Sequence, residues 1–435
     1  MYKIDKEKIR KIMKAKGMAN QNELAKKIGI TKNQLSQILS KDYDFLKSNI
    51  REVCNTLGVD IFDIVSEELS LFSLENLSKE EKKLEEEVDI LKVNPSKSYN
   101  VVEFFAGAGG LALGLEEAGF DTVLLNEIDK DAVNTLRRNR ENWNVVQEDI
   151  CSVVEKGVAS YFSNPNIEVD LISGGYPCQA FSYAGKGLGL EDARGTLFYP
   201  FAKAIEELKP KMFLAENVKG LVSHDKGKTL KVMIDVYEKL GYSVSYKVLN
   251  ALNYGVAQKR ERIVIVGIRK DLKEKYNLEY KFPKEFNKTY TLKDILQNVP
   301  SSECPSYSEA KRKVLSLVPP GGCWRDLPDD IAKEYMGASY YLGGGKTGMA
   351  RRLSWDEPGL TVLCSPSQKQ TERCHPDEVR PFSVRENARI QSFPDEWEFV
   401  GAVSSKYKQI GNAVPVKFAK AIGLSIIDTL NQIKD

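Results

Sequence analysis

Histidine is nearly missing from this chain: His224 and His375 are all that 435 residues provide. Ser-His-Asp, Cys-His and HExxH chemistries each need a histidine as base or ligand, so any of them would have to use one of these two. Carboxylates, arginines or a cysteine are left to carry catalysis. Cysteine is sparse as well. The seven, at 54, 151, 178, 304, 323, 364 and 374, form no CxxC pair and are odd in number, which fits free thiols in a reducing compartment and argues against structural zinc. Cys374 and His375 are adjacent, but a two-ligand pair without partners is no metal site. No run of about 18 uncharged apolar residues occurs, and the opening MYKIDKEKIRKIMKAKG has no signal-peptide apolar core, so a cytoplasmic location without membrane association is expected. An excess of one charge is also lacking. The 63 basic and 61 acidic residues nearly cancel, so any nucleic-acid surface has to be local.

What is present is enough apolar content, 42%, for a sizeable core and two or three domains. Residues 1–65 read as short helices around a sharp turn. In NQNELAKKIGITKNQLSQILSK, Leu24, Ala25 and Ile28 make one apolar face and Gly29 breaks the helix. Thr31 can cap a second helix whose buried side is Leu35, Ile38 and Leu39. This is helix-turn-helix spacing, and the outward Lys32, Asn33, Gln34 and Gln37 are side-chain types that reach base edges and phosphates. The competing reading is a small all-α bundle used for protein contacts. Residues 66–98 are charge-dense, close on Asn-Pro-Ser, and read as a solvated linker. From residue 99 strands alternate with helices: YNVVEFFAG, LALGLEEAGF, TVLLNEID, DKDAVNTLRRN, VDLIS, MFLAENV, RIVIVGIR. Such alternation predicts an α/β, doubly wound parallel sheet.

The first of these strands runs into FFAGAGGLALG, where Gly107, Gly109 and Gly110 let backbone amides approach a ligand before a helix opens. Glu127, at the tip of the second strand, is placed to accept hydrogen bonds from ribose hydroxyls. Asp149 ends a third strand, where a carboxylate can accept from an adenine amino group, so an adenosine-containing ligand is expected. An ordinary tight turn stands against this reading, and Gly107, Gly109 and Ala112 also satisfy the dinucleotide pattern of a dehydrogenase.

Cys178 follows the fourth strand on the same sheet edge. A lone thiol is more often buried structure, but Gly174, Gly175 and Pro177 before it suit a loop that presents a side chain. Glu216 in MFLAENV ends the next strand on that edge. A thiolate and a carboxylic acid together suit attack on an electron-poor ring, the sulfur adding to carbon while the acid holds or protonates a ring nitrogen. Arg260 and Arg262 in QKRERI can hold a thiolate, a carbonyl or a phosphate.

FxGxGG, PCQAFS, ENV, QKRER and QIGNAVP stand here in the order and approximate spacing of the DNA (cytosine-5) methyltransferases, and the chain resembles that family over about residues 100–430. The resemblance implies transfer of a methyl group from S-adenosylmethionine to carbon 5 of cytosine in a short double-stranded DNA target. By similarity, Cys178 adds to carbon 6, Glu216 engages N3 and the exocyclic amine, and Arg260 and Arg262 support substrate and nucleophile. Phe104, Gly107, Gly109, Glu127, Ile128, Asp149 and Ile150 resemble the cofactor shell, joined by Asn412 and Val414 from the far end of the chain. The reaction requires the base to leave the helix. The glycine-bearing loop after Cys178 is given a closing role, with Ser182 and Arg194 meeting the DNA backbone.

The implied organisation is a helix-turn-helix domain (1–65), the linker (66–98), and a Rossmann-like catalytic and cofactor domain (99–270). An irregular target-recognition domain (271–400) and a C-terminal segment returning to the large domain (401–435) follow. In the recognition region Thr361 and Val362 match the family's Thr-Leu/Val pair. Arg351, Arg352, Gln368, Lys369, Gln370 and Arg373 are base- or phosphate-reading types, while Arg385, Glu386 and Arg389 organise structure. The implied partners are target DNA, a restriction endonuclease of the same specificity and operator DNA for the N-terminal domain. Three other readings stay open: a transcription regulator with a degenerate cofactor-sensing domain, a dehydrogenase, and transfer to a tRNA base.

Overall fold

The computed structural model describes residues 2–4, 6–18, 20–32, 35–36, 39, 53–54, 56–57, 59, 65–67, 87–164, 166–177, 196–341, 348–366 and 368–434. Contacts divide the chain into two units, residues 1–84 and 85–435.

In the first unit, β1 (Tyr2–Ile4) leads into α1 (Lys6–Ala15), and α2 (Gln21–Ile28) follows. Asn20 starts α2 because its side-chain oxygen accepts from the N–H groups of Asn22 (3.0 Å) and Glu23 (3.2 Å). Gly29 stops it in the left-handed region, φ 78°, which a side chain with a Cβ adopts only at a cost. Ile9, Met13, Met18, Leu24, Ala25, Leu35, Leu39, Val53 and Leu57 close one small apolar core. The structure adds an element that helical periodicity did not show. β2 (Val65–Glu67) pairs antiparallel with β1, Ile4 opposite Val65 and Tyr2 opposite Glu67, so this unit extends past residue 65.

The second unit is built on a seven-stranded sheet. In chain order its elements are β3 (Tyr99–Phe104), α3 (Gly110–Ala118), β4 (Phe120–Glu127), α4 (Lys130–Asn139), β5 (Val145–Gln147), α5 (Ile150–Lys156), β6 (Leu171–Gly174), α6 (Phe198–Leu208), β7 (Met212–Val218), α7 (Lys228–Lys239) and β8 (Tyr242–Asn250). A two-residue β9 (Gln258–Lys259) precedes β10 (Glu261–Arg269). The spatial order is β5-β4-β3-β6-β7-β10-β8. The first five strands are parallel, and the order reverses between β3 and β6, which creates a crevice at their C-terminal ends. β10 departs from the all-parallel expectation: it runs antiparallel to both β7 and β8. β8 lacks the apolar signature of a buried strand because it mixes tyrosine, serine and lysine with valine at a sheet edge where most of its residues are only partly buried.

Residues 87–98, placed by composition in a linker, pack on this unit. Val88 N–H donates to Phe282 O (3.0 Å), Val88 and Ile90 join the main apolar core, and Asn431 accepts from Ser96 N–H (2.9 Å) and the Tyr99 hydroxyl (2.8 Å). Residues 68–86 lie outside the described residues.

Beyond α8 (Lys270–Tyr276) the rhythm fails, as expected. α9 (Glu309–Ser316) and α10 (Asp329–Met336) pack a small core of Leu315, Val318, Leu327, Ala332 and Ala350. β11 (Gly359–Leu360) then returns to pair parallel with β9. α11 (Val384–Ile390), α12 (Val403–Asn412) and α13 (Val416–Leu430) complete the chain. α13 lies directly on α3: a Cβ added at Gly114 would sit 2.4 Å from the Cβ of Ala419. The Val403–Leu430 stretch is long and apolar enough to cross a membrane, yet most of it is buried as a core helix pair.

Candidate functional site

At the carboxyl edge of the sheet, where its order reverses, lies a cavity of about 810 Å³. One wall begins at the glycine loop. Gly107, at φ 53°, turns its N–H onto Glu127 Oε2 (2.8 Å), while Glu127 Oε1 accepts from Ile128 and Asp129 N–H, each at 2.8 Å. The Glu127 carboxylate is therefore fixed at the strand tip with acceptor capacity to spare. Ile128 beside it is 62% exposed, an apolar side chain held open into the cavity. Asp149 caps α5 by accepting from Cys151 N–H (2.8 Å), and both Asp149 and Ile150 line the cavity. From the chain's far end come Asn412 and Val414. Their loop approaches so closely that a Cβ at Gly110 would lie 2.2 Å from Val414 O.

Two of the expected cofactor residues are displaced by this geometry. Phe104 is the last strand residue of β3, and strand alternation turns it into the core, edge-on to Phe201. Phe105 lines the cavity in its place, because the backbone leaves the strand at φ 58°. The signal was available, since in a Phe-Phe pair at a strand end only one ring can face the core. Gly109 does not line the cavity either. A Cβ there would meet Leu136 and Trp397, so Gly109 serves packing at the start of α3, and Gly110 faces the cavity.

Beneath the loop lies a group the sequence reading passed over. Glu103, in the middle of β3, is 1% exposed, lines the cavity floor and accepts from Ser173 Oγ at 3.4 Å. Burial pushes its carboxyl up to about 8, so the folded chain keeps a proton that the unfolded chain releases near the ordinary glutamate value of 4.5. Stability is then greatest below that ordinary value and falls as pH rises through about 8. Glu103→Gln is expected to raise the thermal midpoint at about pH 9 and to change it little at about pH 5; an equal shift at both would show that the carboxyl is not titrating there.

The opposite wall carries the acid and the cations. Glu216, near the end of β7, lies 2.8 Å from Arg262 Nε, with both side chains mostly buried. Burial raises the Glu216 carboxyl, and the Arg262 and Arg260 charges pull it back down. Its backbone surroundings are tight: a Cβ on Gly175 would lie 3.1 Å from Glu216 Oε2. Arg260 is 2% exposed and donates through Nη2 to Gly411 O (3.2 Å), while its Nε meets no partner among the described residues. Burial, then Arg262, lowers its guanidinium to about 9. A buried cation with an unspent donor facing a cavity is suited to an anionic or carbonyl oxygen, or to a thiolate.

Pro177, the residue before Cys178, lines the same cavity. Cys178 itself, Ser182, Arg194, Asn33, Gln34 and Gln37 lie outside the described residues, and Lys32 is exposed. Thr361, with its hydroxyl donating to Lys259 O (2.9 Å), and Gln368 line the cavity rim.

Arg352 does not read DNA. It is buried and donates to the carbonyls of Pro376 (2.9 Å), Val318 (3.1 Å) and Asp377 (2.8 Å). Arg385 and Arg389 likewise donate inward, Arg385 to Pro394 O and Trp397 O and Arg389 to Asp395 and Gln297 O. His375 is buried with Nδ1 accepting from Asp377 and Glu378 N–H at 3.2 Å each, and Cys374 is buried too. Among the described residues no group of three or more possible ligands can hold a metal.

The lining fits S-adenosylmethionine: Phe105, Ile128 and Ile150 would give apolar faces to a flat base, Glu127 would give fixed acceptors to a sugar, and the turn at Gly110 leaves space that a side chain would fill.

The comparisons agree with this geometry. The C-5 cytosine-specific DNA methylase family matches residues 99–428, and a Cro/C1-type helix-turn-helix DNA-binding domain matches residues 8–68. The chain is similar to the Type II methyltransferase M.Sau96I of Staphylococcus aureus, at 54% identity over 99% of both chains. It is also similar to M.PspPI of Psychrobacter sp. (strain TA137), at 58% identity over 78% of this chain and 82% of the relative. Among solved structures, the S. pombe Dnmt2 methyltransferase shares the fold, with a TM-score of 0.52 at 16% identity over 77% of this chain and all of that one. A family match that spans residues 99–428, together with a relative 54% identical along nearly the whole chain, places the chain among the C-5 cytosine-specific DNA methylases, to which it belongs.

Proposed function

We propose that this DNA cytosine-5 methyltransferase uses Cys178 as nucleophile and Glu216 as its acid, with Arg260 and Arg262 as electrostatic support. The observation that carries these roles is the buried Glu216–Arg262 pair, 2.8 Å apart, beside Arg260 with its Nε unspent, all facing the cavity that Pro177 enters. The Cys178 thiolate adds to carbon 6 of a flipped cytosine. Glu216, its carboxyl raised by burial, supplies a proton or hydrogen bond at N3, so the electron pair moves to carbon 5. S-adenosylmethionine, when bound, supplies an electrophilic methyl group at that carbon. Loss of the carbon 5 proton to a base then expels the thiolate and restores the ring. Phe105, Gly107, Glu127, Ile128, Asp149, Ile150, Asn412 and Val414 hold the cofactor in this reading. Thr361 and Gln368 stand on the DNA side.

The biological setting follows from the relatives, which are Type II methyltransferases. Here it is protection of one short double-stranded sequence from a restriction endonuclease of the same specificity, in the cytoplasm where the DNA lies. Bisulfite sequencing of DNA from cells making the protein is expected to show resistant cytosines in one fixed context. Resistance in no fixed context would overturn the assignment.

The N-terminal unit is read as an operator-binding repressor of the enzyme's own gene, through Lys32, Asn33, Gln34 and Gln37. Its support is the helix-turn-helix match over residues 8–68. Footprinting of the upstream promoter is expected to show protection by the full chain that disappears on deleting residues 1–67. Protection that survives the deletion excludes the role.

A further inference from the structure

Gln258 and Gln391 are each 0% exposed, and neither touches the solvent-facing part of the cavity. Gln258 Oε1 accepts from Val362 N–H (2.9 Å), and its Nε2 donates to Gln391 Oε1 (2.8 Å) and Ile390 O (3.3 Å). Gln391 Nε2 in turn donates to Ile410 O (2.7 Å) and Ala413 O (3.0 Å). Every amide hydrogen of the two side chains is thereby engaged, and the chain of bonds has one polarity from Val362 to the last turn of α12 and its cap Ala413.

The segments it joins are distant in sequence but all face the cavity. Val362 adjoins Thr361 on the rim. The carbonyls of Ile410 and Ala413 bracket Asn412, and Gly411 between them accepts from Arg260. That helix end is pressed against the rim segment: a Cβ at Gly411 would lie 2.5 Å from Cys364 N. β9, which carries Gln258, runs on into Arg260 and Arg262.

We propose that Gln258 and Gln391 are positioning residues, a two-amide relay that fixes the C-terminal end of α12 on the cofactor side and the target-side rim to the arginine strand. The proposal rests on the reading of the cavity given above. Two apolar side chains of the same size would fill the space equally well but would leave Val362 N–H and the carbonyls of Ile390 and Ala413 without these partners, Ile410 O with only the Ala413 N–H, and the two walls without a common anchor. An acid at either place would remove donors and add charge. The relay therefore sets where Asn412 and Thr361 stand relative to Arg260, and such placement enters catalysis steeply.

Steady-state kinetics of the full-length enzyme test it, with both Michaelis constants measured for Gln391→Met and Gln258→Met. Gln391→Met strips both donors from the helix end, so the S-adenosylmethionine KM is expected to rise at least about tenfold with DNA KM little changed. Gln258→Met orphans Val362 N–H but leaves Gln391 donating to the helix end. Its effect is expected on kcat and DNA KM, again about tenfold, with cofactor KM little changed. Because one network is broken in each case, the double variant is expected to lose less than the product of the two. Should Gln391→Met be insoluble, Gln391→Glu keeps the shape and the acceptor while losing the donors, and is read the same way. Activity that falls only with the folded fraction, both Michaelis constants staying at wild-type values, would overturn the relay. A wild-type protein that methylates no cytosine would instead overturn the reading of the cavity.

Discussion

Cys178→Ser is expected to lower methyl transfer by at least about 100-fold while target DNA stays bound. A serine hydroxyl titrates far above neutral pH and needs a base, yet of the two histidines His224 is hydrogen-bonded to Thr229 Oγ1 and His375 is buried with Nδ1 accepting from two backbone N–H groups. A thiol needs much less help, because sulfur is intrinsically nucleophilic and, in the proposed arrangement, Arg260 and Arg262 would favour its thiolate. DNA binding does not depend on the sulfur. Single-turnover methylation and a mobility-shift titration, run on the same preparation, separate the two effects. Near-normal turnover in the variant would rule out covalent catalysis.

Glu216→Gln is expected to cut turnover by about 100-fold to 10,000-fold, the range typical of removing a general acid. The amide keeps the shape and can donate a hydrogen bond, but it cannot deliver a proton to the ring. Because burial already disfavours the charged carboxyl, a neutral amide there is not expected to lower the thermal midpoint, so the turnover loss is read on folded enzyme. Because burial raises the Glu216 carboxyl, the protonated form is lost as pH rises through its folded value, and the acid-dependent step slows on the alkaline side. The pH dependence of single-turnover rate should show this limb in the wild type. Its persistence in Glu216→Gln would assign the limb to another group.

Much of the second unit could be read directly from the sequence because its strands are buried on both faces and its helices are amphipathic. That Glu127, Asp149, Glu216 and Arg262 line the cavity was legible because strand ends are where such a sheet presents side chains. What escaped has specific physical causes. Phe104 and Phe105 differ by one residue of strand parity, and the parity ends where the φ of Phe105 turns positive. Glu103 sits in an otherwise apolar strand, and nothing local says whether it faces a core or a cavity. The Gln258–Gln391 bond joins two residues far apart in sequence, so no window of neighbouring residues reveals it. Arg352 has the composition of a DNA contact and the geometry of a strut, and only its three buried carbonyl partners distinguish the two.

The closeness of Gly110 to Val414 O has a consequence for how the enzyme is made. The cavity wall at Gly110 is assembled from segments at the start and the end of the methylase unit, so during synthesis this wall stays incomplete until α13 has emerged. The strand pair that closes the N-terminal unit, by contrast, is complete once residue 67 is out. Synthesis thus completes the helix-turn-helix unit before the methylase unit.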